Sequence, residues 1–209
     1  LQLSPFSALQ SFFSLQTYKS MSQGKNSIRK TLLTQHMSLK NELIIGHVTL
    51  AGDLDFFDAR WADDIARRSL ASLETLGLRV ISTDRLVTSK DDAADVARLF
   101  RREEVDIMVL QNGTFALGDL AVDLAQKLDV PIVLWAVPEP SLGNRSQLRS
   151  NSLCGAMMNA SALKKIGRNY EFFYGLPEDQ NFKRVFKRYA KVLETIKRLG
   201  NTRIGLVGY

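Results

Sequence analysis

The chain has 209 residues, 45% of them apolar, and a formal net charge of +6, enough length and apolar content for one large domain with a real core. Its single cysteine excludes an intrachain disulfide, and no run approaches the roughly 18 consecutive apolar residues of a membrane span. The charge falls in blocks, +5 over residues 1–41, −6 over 42–163 and +7 over 164–209, rather than as one basic face interleaved with aromatics, so neither a nucleic-acid nor a membrane partner is expected.

Residues 1–40 are rich in Ser, Gln and Leu and lack acids. This stretch is expected to be a disordered or non-native leader, and Met37 before "SLKNELIIGHVTL" marks an ordinary start. The cytoplasm is the expected compartment, or an organelle if the leader is a transit peptide.

The run "ELIIGHVTL" (42–50) predicts a buried strand ended by Gly52-Asp53. A helix follows, with Ala59, Ala62, Ala66, Leu70 and Leu73 on one face and Gly77 as its stop. "LRVIST" (78–83) is a second strand, and Ser89 or Asp91 caps a helix that buries Ala93, Val96, Ala97 and Phe100. "VDIMVLQNG" (105–113) is a third strand, followed by a helical stripe through Leu117, Leu120, Ala121, Leu124 and Leu128. "VPIVLWAVPEP" (130–140) is a fourth strand ending in prolines, which cannot continue a central ladder. "YEFFYG" (170–175) is a candidate fifth strand. A last helix packs Phe182, Val185, Phe186, Tyr189, Leu193 and Ile196, and its other face carries Lys183, Arg184, Lys187, Arg188 and Lys191 as a solvated basic surface.

Strands with continuous apolar patterns, separated by helices, mean a parallel sheet covered on both faces. The expected fold is therefore α/β: a doubly wound, mostly parallel sheet with helices on both faces, of the flavodoxin-like or periplasmic-binding-like kind. Its expected domain occupies residues 41–175. Residues 176–209 are expected to be a helix and a strand leading into a second domain that is cut off. Such sheets place ligands at the carboxyl ends of their strands, which directs attention to the loops at 51–58, 84–90, 111–118 and 138–154.

Most familiar chemistries fail in these loops. "TLAGDLDFF" offers one glycine and three carboxylates, Asp53, Asp55 and Asp58, where a dinucleotide site needs several glycines and no repulsion of pyrophosphate. The three acids could hold Mg²⁺, although carboxylates at a helix N-terminus are the more ordinary assignment. His36 and His47 form no cluster, so a zinc site lacks ligands. His47 is assigned as a strand residue satisfied by its neighbours. Cys154, in "RSNSLCGAMMNA", has no histidine partner and is assigned as a small buried hydrophobe. Gln111, Asn112 and Thr114, beside Gly113, present amides and a hydroxyl suited to sugar hydroxyls; a turn with Thr114 as helix cap explains the same residues. Trp135 is assigned to the core, with stacking on a ligand as the alternative.

Three stretches, "VDIMVLQNGTFALGDLAVDLAQKLDVPIVLWAVPEP", "LRSNSLCGAMMNASALKKIGRNYEFFYGLPED" and "RIGLVGY", together resemble the amino-terminal region of the L-fucose/L-arabinose isomerase superfamily, especially its fucose isomerase-like members. The resemblance covers about residues 42–209. It implies aldose–ketose interconversion of a monosaccharide by a homo-oligomer, with Mn²⁺ held by residues of later domains, so that no cofactor, metal ligand or catalytic residue is expected in this portion. It also implies substrate contacts from Gln111, Asn112, Gly113, Glu139, Asn151 and Ser152. Two other readings stay open. One is a stand-alone sugar-binding or regulatory module, which lacks a second lobe here; the other is a flavodoxin-like domain for a phosphorylated ligand, which the acid-rich first loop opposes.

Overall fold

The computed structural model describes residues 42–52, 56–83, 85–141 and 148–203. The leader, Asp53, Asp55 and most of "RIGLVGY" lie outside the described residues. The elements are β1 (Ile44–Leu50), α1 (Ala59–Glu74), β2 (Arg79–Ser82), α2 (Lys90–Arg102), β3 (Ile107–Asn112), α3 (Gly118–Lys127), β4 (Ile132–Ala136), α4 (Ser152–Lys165), β5 (Tyr170–Tyr174) and α5 (Gln180–Gly200). The five strands form one sheet in the order β2-β1-β3-β4-β5, every pair parallel. This is the doubly wound α/β architecture expected from the apolar runs.

The three central strands β1, β3 and β4 are buried on both sides because each contributes alternate residues to two cores, while the edge strands β2 and β5 are half-buried or exposed. Val48, Leu50, Met108, Leu110, Ile132 and Leu134 meet α2, α3 and α4 on one face. Ile45, Ile107, Val109, Val133 and Trp135 meet α1 and α5 on the other. Trp135 is a core residue: its indole stacks on Phe182 with centroids 4.1 Å apart and donates to the Gly175 carbonyl at 3.0 Å. The α5 side chains Phe182, Phe186 and Ala190 are buried in this core, whereas Val185 and Ile196, expected on the packed face, are exposed.

Local signals explain the helix ends. Asp58 caps α1, accepting the Trp61 N–H at 3.1 Å. Ser89, not Asp91, caps α2, in a reciprocal capping box with Asp92. Gly77 ends the α1 segment at φ 72°, a conformation suited to glycine. Thr114 does not cap α3, which begins at Gly118. Its hydroxyl instead bridges to Gly52, accepting from the N–H and donating to the carbonyl, both at 3.1 Å, and so ties the ends of β1 and β3 together.

A polar seam crosses the α1 face of the sheet. Gln111 Oε1 accepts from the Thr49 hydroxyl at 2.9 Å and faces His47 Nε2 at 3.2 Å, while His47 Nδ1 lies 3.0 Å from Ser82 Oγ. The Gln111 amide donates to Ser69 of α1. That bond explains why the buried side of α1 runs through Ala62, Ile65, Ser69 and Leu73 rather than through the expected Ala66 and Leu70. His47 is satisfied by its neighbours, as expected of a buried strand histidine.

Gly46 is required by close packing: a Cβ there would lie 2.6 Å from the ring of the fully buried Phe100. Gly46→Ala should lower the urea-unfolding stability by about 1–3 kcal/mol, the usual range for overpacking a core, with little change in the denaturant slope.

Burial pushes the His47 pKa from 6.5 down to about 4, outweighing the upward effect of the Gln111 hydrogen bond. The folded protein therefore resists protonation that the unfolded chain accepts. The stability tied to neutral His47 is complete above pH 6.5 and is lost progressively as pH falls toward 4. His47→Gln should flatten the stability–pH curve in that window by up to about 1.4 kcal/mol per pH unit, measured by urea titrations across the range.

Candidate functional site

The chain winds in opposite directions on the two sides of the β1–β3 pair. After β1 it passes to the α1 face and after β3 to the α3 face, which leaves a crevice at their carboxyl ends. A cavity of about 580 Å³ lies at the ends of these strands. Gly52, Phe56 and Phe57 come from the loop after β1, Thr88, Ser89 and Lys90 from the entry to α2, Phe115 and Leu117 from the loop after β3, and Asn151 from the entry to α4. All four loops singled out in the sequence reach it, and Asp119 and Leu120 of α3 complete the lining.

The walls are largely aromatic and aliphatic, with Phe57 and Phe115 in a tilted contact 6.1 Å between centroids. The starts of three helices, α2, α3 and α4, converge on the cavity. The first turn of α2 is closed by its own capping box, whereas α3 and α4 begin without a side-chain cap. This combination of apolar walls with a few amide, hydroxyl and charged groups suits a small molecule bearing both C–H faces and hydroxyls.

The α4 entry is held by the two carboxylates Glu139 and Asp58. Glu139 accepts the backbone N–H groups of Arg149 (2.5 Å), Ser150 (3.0 Å) and Asn151 (2.7 Å) and the Ser150 hydroxyl (2.8 Å). Asp58 holds the same segment from the other side, with Arg149 Nε at 2.9 Å and Nη2 at 2.8 Å. The Asp58 N–H also donates to the Arg149 carbonyl at 2.8 Å, and the Arg149 guanidinium lies 5.9 Å from the Trp61 ring centroid. Asp58 is thus a helix cap and an arginine partner.

The six expected contact residues occupy different environments. Gln111 is fully buried in the polar seam. Asn112, also fully buried, accepts from the Asn159 amide of α4 at 2.6 Å. Gly113 has no room for a side chain, since a Cβ would lie 2.7 Å from Thr49 Cγ2. Buried Ser152 accepts the Val137 N–H at 3.0 Å and donates to the Asn112 carbonyl at 2.5 Å, joining the ends of β3 and β4 to α4. Glu139 grips the segment 149–151. Asn151 lines the cavity, in a left-handed conformation (φ 53°, ψ 33°) that asparagine tolerates better than most residues.

Cys154 is exposed, not buried. The side of α4 that enters the core carries Gly155, Ala156, Asn159 and Leu163, which turns Cys154 toward solvent. The cavity residues missed by sequence reasoning include the polar Thr88, Ser89, Lys90 and Asp119, Leu117, which was expected on a helical stripe, and the aromatic Phe56, Phe57 and Phe115. The available signal for the three aromatics was apolar bulk in loop positions outside any helical or strand period; Phe56 is 48% exposed, and Leu117, at the N-cap of α3, is 59% exposed.

The family model for "Fucose/sulfoquinovose isomerase, N-terminal domain" matches residues 49–200, from the end of β1 through α5. The chain belongs to this family. Among relatives of the fucose/sulfoquinovose isomerase type, it is similar to the sulfoquinovose isomerase of Priestia aryabhattai, 28% identical over 152 residues that make up 73% of this chain and 34% of that protein. It is also 29% identical over 145 residues to the sulfoquinovose isomerase of Alkalicoccus urumqiensis, covering 69% and 32% of the two chains. The chain thus spans about a third of the length of these relatives. A solved GDP-6-OMe-4-keto-L-xylo-heptose reductase from C. jejuni aligns at TM-score 0.36 and 12% identity, covering 64% of this chain and 46% of that one, a likeness too low to carry an argument.

The family resemblance implies manganese. Among the described residues no three His, Cys, Asp or Glu side chains converge on a point where they could hold a metal ion. No chemical step through Mn²⁺ is assigned to these residues. Among the described residues no helix is long and apolar enough to cross a membrane.

Burial pushes the Glu139 carboxyl up, but the backbone N–H groups of Ser150, Asn151 and Arg149 and the Ser150 hydroxyl outweigh it and hold the pKa below the ordinary value. The group therefore supports the fold while ionised and loses that contribution as pH falls through its depressed folded pKa. Glu139→Gln should lower stability at pH 7, and its difference from the parent chain should shrink on acidification. Paired urea titrations at neutral and acidic pH measure both effects.

Proposed function

We propose that this domain is the amino-terminal portion of a metal-dependent aldose–ketose isomerase and that its β1/β3 cavity holds part of the monosaccharide. The observation that carries the proposal is the cavity at the switch point, lined from all four strand-end loops in a chain whose family is that of fucose and sulfoquinovose isomerases. A pyranose or open-chain aldose offers C–H patches to Phe56, Phe115 and Leu117 and hydroxyls to Ser89, Lys90, Asp119 and Asn151. Its volume of about 580 Å³ lies within the range of small-molecule sites.

Of the six residues that the resemblance implied as contacts, Asn151 is the one proposed to touch the sugar directly. Gln111, Asn112, Gly113, Glu139 and Ser152 are proposed as positioning residues, acting through the strand ends and the segment that presents Asn151. The domain binds and orients substrate, and the proton transfers and the Mn²⁺ chemistry belong to other parts of the polypeptide. In this proposal the protein works in the cytoplasm as a homo-oligomer.

The test is a panel of aldoses, including L-fucose and sulfoquinovose, assayed with Mn²⁺ on the catalytically competent polypeptide. Asn151→Ala should raise KM by about 10-fold, the loss of one good polar contact, with kcat changed less than about twofold. Absence of conversion for every aldose would sink the isomerase assignment. Conversion with an unchanged KM in Asn151→Ala and Lys90→Ala would sink the cavity as the sugar site.

A further inference from the structure

The last helix carries a second apolar stripe that the fold does not use. Phe182, Phe186 and Ala190 of α5 are buried against the sheet. A separate line passes through Val185, Val192, Ile196 and Leu199, at successive steps of seven, four and three residues, with half-buried Tyr189, which packs on Phe173 and the core, at its inner edge. Val185, Val192, Ile196 and Leu199 are 41%, 56%, 58% and 67% exposed. Alternating steps of three and four place apolar side chains along the seam where one helix packs against another. Four exposed aliphatic or partly aliphatic turns on one helix are not needed to hold α5 in place, because its inner face already does so.

We propose that this outer face of α5 docks an amphipathic helix of another polypeptide whose flanking residues are acidic. Charge selects the occupant. Residues 180–200 contain seven Lys or Arg and one acid, Glu194, and that acid is already held by Lys191 at 2.9 Å and Arg198 at 2.5 Å. Arg188 is exposed and lies in sequence between Val185 and Val192. A second copy of α5 would bring the same excess of positive charge to the seam and be repelled, whereas Glu or Asp at the flanks of the incoming helix would complement it. A lipid surface fits less well, because helices that lie in a bilayer interface use a broad apolar face. The broad side of α5 is committed to the sheet.

The experiment uses the 209-residue chain and two synthetic helices of about four heptads, alike in Leu and Ile at the seam positions but carrying either Glu or Lys at the flanks. Binding is measured by calorimetry at low and high salt. The Glu peptide should bind, and Val192→Glu, Ile196→Glu and Arg188→Glu should each weaken it by about 10-fold or more, as should high salt. The Lys peptide should not bind. Because these side chains are exposed, circular dichroism of each variant should match the parent, which separates lost docking from lost folding. Equal binding of both peptides, or of neither, would overturn the proposal. So would a dimer in sedimentation that Ile196→Glu dissolves, or retention on phosphatidylserine vesicles without binding of the Glu peptide.

Discussion

The constraint on which the rest depends is the parallel pairing of β1 with β3, two strands distant in sequence whose following segments leave on opposite faces of the sheet. Two buried parallel strands demand helices on both sides, and the chain cannot fill the space where the helices diverge. The cavity is a consequence of that divergence, before any side chain is chosen to line it. Thr114 closes the floor by clasping Gly52 across the strand pair, and Gly113 lets α1 approach. These small polar devices fix the ends of the strands while leaving the opening itself to the loop and helix-entry residues, Phe and Leu among them with Ser89, Lys90, Asp119 and Asn151.

A buried sheet with polar residues near its carboxyl end has to satisfy them internally. Two separate solutions appear on its two faces. His47, Thr49 and Gln111 form a seam with Ser69 and Ser82 under α1, while Asn112 Oδ1 turns the other way to accept from Asn159 of α4, a pair whose remaining atoms, Asn112 Nδ2 and Asn159 Oδ1, are buried without a partner among the described residues. Successive residues Gln111 and Asn112 thus serve opposite helices, as the two-residue period of a strand requires. Amides at a strand end that look suited to recognising hydroxyls also serve to register helices on the sheet.

The apolar runs made the fold legible: each of β1, β3 and β4 is short, continuous and bounded by glycine, proline or polar turns, and such runs fit little else than a covered parallel sheet. The helix rotation was less legible. The face of α1 was misplaced by part of a turn because Ser69 is drawn inward by Gln111, a partner 42 positions away. Thr114 was misassigned for a similar reason, its partner Gly52 being 62 positions away. Cys154 was placed inside on its chemical type, yet neighbouring Gly155 and Ala156 take the contact side, where a Cβ on Gly155 would meet the backbone of Phe115 and Ala116 at 3.0 Å. Local pattern identifies which elements exist. Which side of an element turns inward depends on residues far along the chain.

Glu139 illustrates how this bears on function. A carboxylate after the fourth strand, near two prolines, has the appearance of a reacting group or a metal ligand. In the fold its two oxygens are engaged by three successive backbone N–H groups and a serine hydroxyl. That is the work of an anchor: three N–H donors of the segment leading into α4 are satisfied by one ionised side chain. Asp58 and Arg149 hold the same few residues from the α1 side. Asn151 is consequently fixed in a left-handed conformation from both directions, with its side chain left out of the capping hydrogen bonds of α4. Strain of this kind persists only where surrounding structure over-determines it, and here the over-determination comes from two carboxylates that stand back from the cavity. Glu139, Asp58 and Arg149 build the frame of the α4 entry, and a neutral amide is what that frame presents to the cavity.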